Sequence, residues 1–255
     1  MPLHDQEPDP HSIRLSKRLA TDIGCSRAEA EHYIDAGFVT VDGEVQDTPG
    51  ARVRPEQAVA LQMGANLKPI QLVTLLLYKP AGYSLHAPQP GRKAPSAASL
   101  LTPEHLANVD TPQPMHPLPR HFRNQQFLLP LPKAASGLVV YSQDPRIIRR
   151  LTEDADLIEQ ECLAEVRGQM VEDGLALLAK GLYMDGDYLP PIKASWQNET
   201  HLRFALKRVA PEWIAPVCAA LGLELVALKR LRLGRISLGK LPEGQWRYLQ
   251  GFERF

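Results

Sequence analysis

The residues whose types and spacing could do chemistry in this sequence are basic, and they read either as an ordinary solvated face or as a patch for phosphate groups. Arg14, Lys17 and Arg18 surround Leu15 and Leu19, which stand four apart, and Arg27 follows Ser26 at the start of the next helical pattern. Near the C-terminus Arg230 and Arg232 alternate with Leu231 and Leu233, which predicts a strand with one core face and one basic face. Groups for breaking bonds are harder to find. Residues 129–140, LPLPKAASGLVV, look like a Gly-bearing turn feeding a strand, a place for a catalytic loop, yet they hold no carboxylate, no histidine and no hydroxyl except Ser136. The three cysteines, Cys25, Cys162 and Cys218, show no CxxC spacing, so neither a zinc site nor a disulfide framework is supported. Cys162 has no His or Lys beside it to favour a thiolate and is expected to be a small buried hydrophobe.

The chain has 255 residues with 29 basic and 29 acidic side chains, so its formal net charge is zero. No global positive field draws it to nucleic acid, and any such site must be a local patch. Residues 1–12 are acidic and Pro-rich, which predicts a disordered tail and not a signal peptide. No apolar run reaches membrane-spanning length. The expectation is a soluble, cytoplasmic, monomeric protein.

The elements that must position these residues follow from periodicity. The first helix runs from about Ile13 to Gly24. The second starts at Ser26 with Glu29 three residues later, a capping box, and ends at Gly37. FVTVDGEVQD alternates around Asp42-Gly43, a hairpin with a type I′ turn, and ARVRPEQAVAL adds a short strand. Residues 62–70 form a linker. QLVTLLLYKPAGY is a buried strand ending at Lys79-Pro80. Residues 86–126 hold eight of the 23 prolines and predict an irregular insertion with at most one short helix, near SAASLL, where Leu100 and Leu101 can dock. Then come the strand GLVVYSQ, a helix capped by Asp144 with Pro145 at its first position, the strand ECLAEVRG, and a helix at EDGLALLAKG. A hairpin around Asp185-Gly186, the strand THLRFALKRV, the helix PEWIAPVCAALGL and two final strands, ELVALKRLRLGRISL and QWRYL, complete the chain. Trp196, Trp213 and Trp246 are expected in the core.

Two stretches carry a resemblance. RLSKRLATDIGCSRAEAEHYIDAGFVTVDGEV, within residues 13–61, resembles the alpha-L RNA-binding domain. YKPAGY, ASGLVVYSQD, IEQECLAEVRG and LKRLRLGRISLGKLPEGQWRYL, within 71–255, resemble the catalytic domain of the bacterial ribosomal-RNA pseudouridine synthases. The resemblance implies an α+β protein, a small alpha-L domain followed by a mixed, mainly antiparallel sheet flanked by helices. It implies chemistry that needs no metal and no cofactor, with RNA as partner. It also implies RNA contact by Arg14, Lys17, Arg18, Ser26 and Arg27, although the family's second Arg after Ser-Arg is Ala28 here, and by Arg230 and Arg232 beside the cleft. Residues 13–61 themselves carry eight acids to six bases.

Laid on this chain, the family's Gly-Arg-Leu-Asp loop falls on Leu129-Pro130-Leu131-Pro132. Its catalytic Asp becomes Pro132, the Arg beside it Pro130, and the following Thr Ala135. The Lys-x-Tyr whose ring packs on the target base becomes Gln160 and Cys162, and a late Arg-Arg pair becomes Ala215-Pro216. Forming pseudouridine needs a carboxylate as nucleophile or base at a flipped nucleotide. The acids nearest in sequence, Asp144, Asp154 and Asp156, are a helix cap and helix-end charges. The expected function is RNA binding without isomerisation. The alternatives are an active synthase with a rearranged site and a scaffold whose cleft takes protein, which the Pro-rich insertion would favour.

Overall fold

The structure is a computed structural model that describes residues 11–68, 70–86, 95–109, 115–184 and 186–255. Most of the expected N-terminal tail, part of the Pro-rich insertion, and Asp185 at the predicted hairpin lie outside the described residues. The chain divides into two compact units, residues 1–71 with 116–123 and residues 72–115 with 124–255.

The first unit opens with β1 (Ile13–Arg14), α1 (Leu15–Ile23) and α2 (Arg27–Asp35). Gly24 stops α1 at φ +69, a left-handed cap that only glycine adopts without strain. Ser26 accepts from the Glu29 N–H while Glu29 accepts from the Ser26 N–H, so the capping box forms as predicted. β2 (Val39–Val41) and β3 (Glu44–Val45) pair around Asp42 and Gly43, at φ +54 and +89, as a type I′ turn demands. ARVRPEQAVAL contributes two strands rather than one, β4 (Arg52–Val53) against β1 and β5 (Val59–Leu61) against β2. Leu15, Leu19, Ala30, Ile34, Val39 and Val53 form the core of this unit.

In the second unit β6 (Thr74–Lys79) is buried along its whole length, as a strand covered on both faces must be. The Pro-rich insertion has more structure than its composition predicts. Single 3-10 turns form at Ala97–Leu100, Pro103–His105 and Pro119–Phe122, and β7 (Gln126–Leu128) pairs with β8 (Ser136–Ser142). Leu100 and Leu101 are buried, as expected. The composition gives no period because these turns are held by contacts distant in sequence. After β8 come α3 (Pro145–Thr152), capped by Asp144, β9 (Gln160–Gly168), α4 (Gly174–Lys180), and the paired β10 (Leu182–Met184) and β11 (Asp187–Leu189). β12 (Lys193–Trp196), which the sequence did not signal, pairs with β13 (His201–Leu206). α5 (Ile214–Ala220), β14 (Leu223–Leu233), β15 (Ile236–Ser237) and β16 (Trp246–Tyr248) end the unit.

The main sheet has nine strands. Its order is β12-β13-β9-β14-β8-β6-β16, with β15 on β14 and β7 on β8. Every pairing is antiparallel except β14 with β8. This is the mixed, mainly antiparallel α+β architecture expected. Trp246 is fully buried in it, but Trp196, on the sheet's edge strand, is 39% exposed and is not a core residue.

Candidate functional site

The basic cluster of the first unit sits where α1 and α2 begin. Arg14 occupies the N-cap position of α1 and Lys17 its first turn. Both are exposed, and neither side chain has an ion-pair or hydrogen-bond partner among the described residues. The other candidates are engaged. Arg18 donates to Asp22 at 2.7 Å and to the Pro55 carbonyl at 3.2 Å. Arg27 pairs with Glu31 at 3.0 Å, though both remain exposed, and the Ser26 hydroxyl accepts from the Glu29 N–H. Arg14 and Lys17 are therefore the two cations here that a ligand can reach at no cost in existing bonds.

The cleft of the second unit is built differently. Gly137 pairs in register with Arg230 where β8 runs parallel to β14. A Cβ on Gly137, at φ +115, would collide with the Arg230 backbone, so the strands approach this closely only because residue 137 is glycine. Leu129 takes φ +50, a left-handed conformation costly for leucine, at the position where the resemblance puts a glycine.

Beneath this loop lie two buried cations. The guanidinium of Arg230 donates from Nε to the Leu138 carbonyl at 2.7 Å. Its Nη1 donates to the carbonyls of Leu129 at 2.8 Å and Pro130 at 3.2 Å and to Gln160 Oε1 at 2.9 Å. Nη2 is buried and has no hydrogen-bond partner among the described residues. Lys79 Nζ donates to the carbonyls of Pro80, Tyr83, Lys133 and Ala135, between 2.5 and 3.1 Å. Burial pulls Arg230 down to about 10. Burial, helped by the Arg230 charge, pulls Lys79 down to about 8. Every acceptor around both is a neutral oxygen. A lysine at 160, as the resemblance would have it, would set another cation against Arg230, whereas Gln160 supplies an acceptor.

Arg230 is therefore not a surface phosphate contact as expected; it is fully buried. The pairing of β14 with β9 shifts register between Arg230 and Arg232, an irregularity that inserts a residue and turns Arg230 inward with Leu228 while Leu231 comes partly out. Arg232 is part-exposed but already neutralised, donating to Glu161 at 2.9 Å and Glu159 at 2.6 Å. Nothing in the residue pattern signals this register shift. The pattern does carry a signal for Lys79, a lone cation closing an otherwise apolar strand.

Above the loop is a pocket of about 210 Å³. Pro132, Ala135 and Ala215 line it together, so the structure unites the positions that the resemblance assigns to the catalytic Asp, the following Thr and the first residue of the late Arg pair. Leu228 and Ala134 add apolar wall, and Glu212 is the single charged lining residue. Pro130 is exposed beside it. Cys162, in register opposite Arg230, is fully buried, and burial pushes its thiol up to about 11. Asp144 accepts from the Arg146 N–H as a cap, and Asp154 pairs with Arg150. Among the described residues no group of three or more His, Cys, Asp and Glu could hold a metal ion, and no helix is long and apolar enough to cross a membrane.

Comparison with known proteins matches residues 13–59 to the S4 domain. A chloroplastic relative from Arabidopsis thaliana, named as a ribosomal large subunit pseudouridine synthase, is 29% identical over 234 residues, covering 88% of this chain and 55% of that protein. The chain thus spans about half the length of that relative. An Aquifex aeolicus protein named as an uncharacterized RNA pseudouridine synthase is 27% identical, covering 93% of this chain and 90% of that one. The ribosomal small subunit pseudouridine synthase A of Salmonella typhimurium is 26% identical over 93% of this chain and 96% of its own. A solved structure described as a pseudouridylate synthase shares the fold at a TM-score of 0.57 and 21% identity, covering 94% of this chain and 96% of that one. An S4 domain at the N-terminus and a nine-stranded mixed sheet behind it thus accompany a similarity to RNA pseudouridine synthases that runs over 88–93% of this chain.

Proposed function

We propose that this protein binds ribosomal RNA through its S4 unit and does not convert uridine to pseudouridine. The observation that carries this reading is the pocket in which Pro132, Ala135 and Ala215 meet with no positioned carboxylate. Enzymes lower barriers by at least about 8 kcal/mol, and here the group that must attack or deprotonate the sugar is absent from its place. Uracil presents two carbonyls and an N–H, and each polar group buried without a partner costs about 1–3 kcal/mol against walls this apolar. Cys162 offers no ring on which a base could stack, a contact worth about 1–3 kcal/mol. The RNA partner is supported by the S4 domain and by the open Arg14 and Lys17.

One observation favours a second reading, an active synthase with a relocated acid: Glu212 lines the same pocket. Against it, Glu212 is exposed and no side-chain hydrogen bond holds it among the described residues, whereas reacting groups must be held to roughly half an ångström. Tritium release from RNA labelled at uracil C5 separates the two. The expected outcome is no release by the wild type or by Pro132→Asp. Release by the wild type that disappears in Glu212→Gln would establish the second reading. Mapping pseudouridine in ribosomal RNA from cells with and without the gene gives an independent answer.

A further inference from the structure

We infer that residues 116–123, carried by the Pro-rich insertion of the synthase-like unit, are a working part of the S4 unit's RNA-binding surface, with Arg123 as a phosphate contact beside Arg14 and Lys17. This rests on the RNA reading above and extends it to a segment outside residues 13–59.

Residues 116–123 belong to the first compact unit, although more than 40 residues of the second unit's chain precede them. Their seat is built for them. Gly37 leaves the space that Leu118 fills, since a Cβ there would stand 2.7 Å from a Leu118 methyl. The Arg120 N–H donates to Asp47 Oδ2, and Arg120 Nη1 donates to the Asp35 carbonyl at the end of α2. Arg123 Nη2 donates to Asp47 Oδ1 at 3.3 Å and to Thr48 Oγ1 at 3.0 Å. The Asp47 side chain is fully buried under these groups. A buried carboxylate needs such partners, because leaving it unpaired is strongly unfavourable.

The strap also changes the charge and the reach of the surface. Residues 13–61 carry eight acids to six bases, a poor balance for holding phosphates; HPLPRHFR adds two arginines and no acid, so residues 13–61 and 116–123 together hold eight of each. The position of these charges matters more than their number. The loop that Arg123 grips runs directly into the start of α1, where the Ser16 N–H donates to the Pro49 carbonyl at 3.2 Å and the Leu15 N–H to the Ala51 carbonyl at 2.7 Å. Arg123 is thus anchored at Thr48, one residue from the loop that closes on the first turn of α1, the turn flanked by Arg14 and Lys17. Its side chain remains 52% exposed while it bonds Asp47 and Thr48. A pre-positioned, half-open guanidinium is the form in which arginine grips phosphate.

The test uses the full-length protein and a fluorescent ribosomal RNA transcript, titrated across a range of salt. Arg123→Gln keeps a hydrogen-bonding group for Thr48 and removes the charge. The expected result is affinity about tenfold lower at low salt and a salt slope shallower by about 1, with Arg123→Lys restoring most of both. Hydrogen exchange of the α1 and α2 amides is followed in each variant. Wild-type affinity and slope in Arg123→Gln, while Arg14→Glu weakens binding, would overturn the inference. So would a loss of binding in Arg123→Gln that appears only with loss of protection in α1 and α2 and is not rescued by lysine, since the strap would then be a structural clamp alone. If neither Arg123→Gln nor Arg14→Glu alters binding, it is the RNA reading of the S4 unit that fails.

Discussion

Arg14 and Arg230 are both arginines, and they mark two ways of using a cation. In the first unit Arg14 and Lys17 face solvent with no partner among the described residues. In the second, Arg230 and Lys79 are fully buried and hold seven backbone carbonyls and one amide oxygen between them. The outward pair contributes little to folding and can bind. The inward pair can bind nothing from solution, and it ties the loop 129–138 to the sheet behind it. The buried cations thus hold the backbone of this loop in place through its carbonyls, whatever side chains the loop carries.

The largest effect that would sharpen this contrast is expected at Arg230. Arg230→Ala removes the donor from three carbonyls and Gln160 and leaves a void, at a cost of about 4 kcal/mol. Chemical denaturation should show this loss in the synthase-like unit, while RNA affinity measured below the transition stays at the wild-type value. A fall in affinity without a fall in stability would break the comparison.

The first unit has its own inward group. His121 in the strap is buried, its Nδ1 accepting from the Leu118 N–H at 3.3 Å. Burial, and secondly the neighbouring Arg120 charge, lower it from its ordinary 6.5 to about 4, with Asp35 and Asp47 also engaged by the strap nearby. A histidine whose folded pKa lies below its unfolded one takes up its proton on unfolding. Its contribution is complete above about pH 6.5 and is lost as pH falls toward 4, to the extent of about 3 kcal/mol. Thermal melts of the full chain between pH 7 and 4.5 should show the first unit loosening before the second, and His121→Gln should flatten that trend.

A smaller effect is expected at Gln160. Gln160→Lys sets an ammonium against Arg230 where an acceptor stood, costing about 2 kcal/mol. If the variant is instead as stable as the wild type, Arg230 does not depend on that oxygen. The smallest effect on folding, within about 0.5 kcal/mol, is expected from Arg14→Glu with Lys17→Glu, since neither side chain holds a partner among the described residues. RNA affinity should nevertheless fall at least tenfold, by about 1.4 kcal/mol, with a shallower salt slope.

What the sequence disclosed follows the range of the interactions. The capping box of Ser26 and Glu29, the Asp42-Gly43 turn and the Asp144 cap each close within a few residues, and each was legible. The chemical emptiness of 129–140 was legible because it is a matter of residue type. The depth of Arg230 was not, because it depends on a register shift against β9, about 70 residues away in the chain. Nor was the strap, whose Pro-rich composition has no period and whose anchors, Asp47 and Asp35, lie 73 and 85 residues before it. Glu212 gave no signal either, since only the folded chain brings it to the pocket with Pro132.

The chain crosses between its two units three times, after residues 71, 115 and 123. Recombination that transplants a module by one cut would therefore carry away an S4 domain lacking the piece that covers Asp47 and seats Leu118 on Gly37. Residues 116–123 and the N-terminal unit form a single structural block despite their distance in the chain, so a deletion in the insertion that removes them would uncover Asp47 as well.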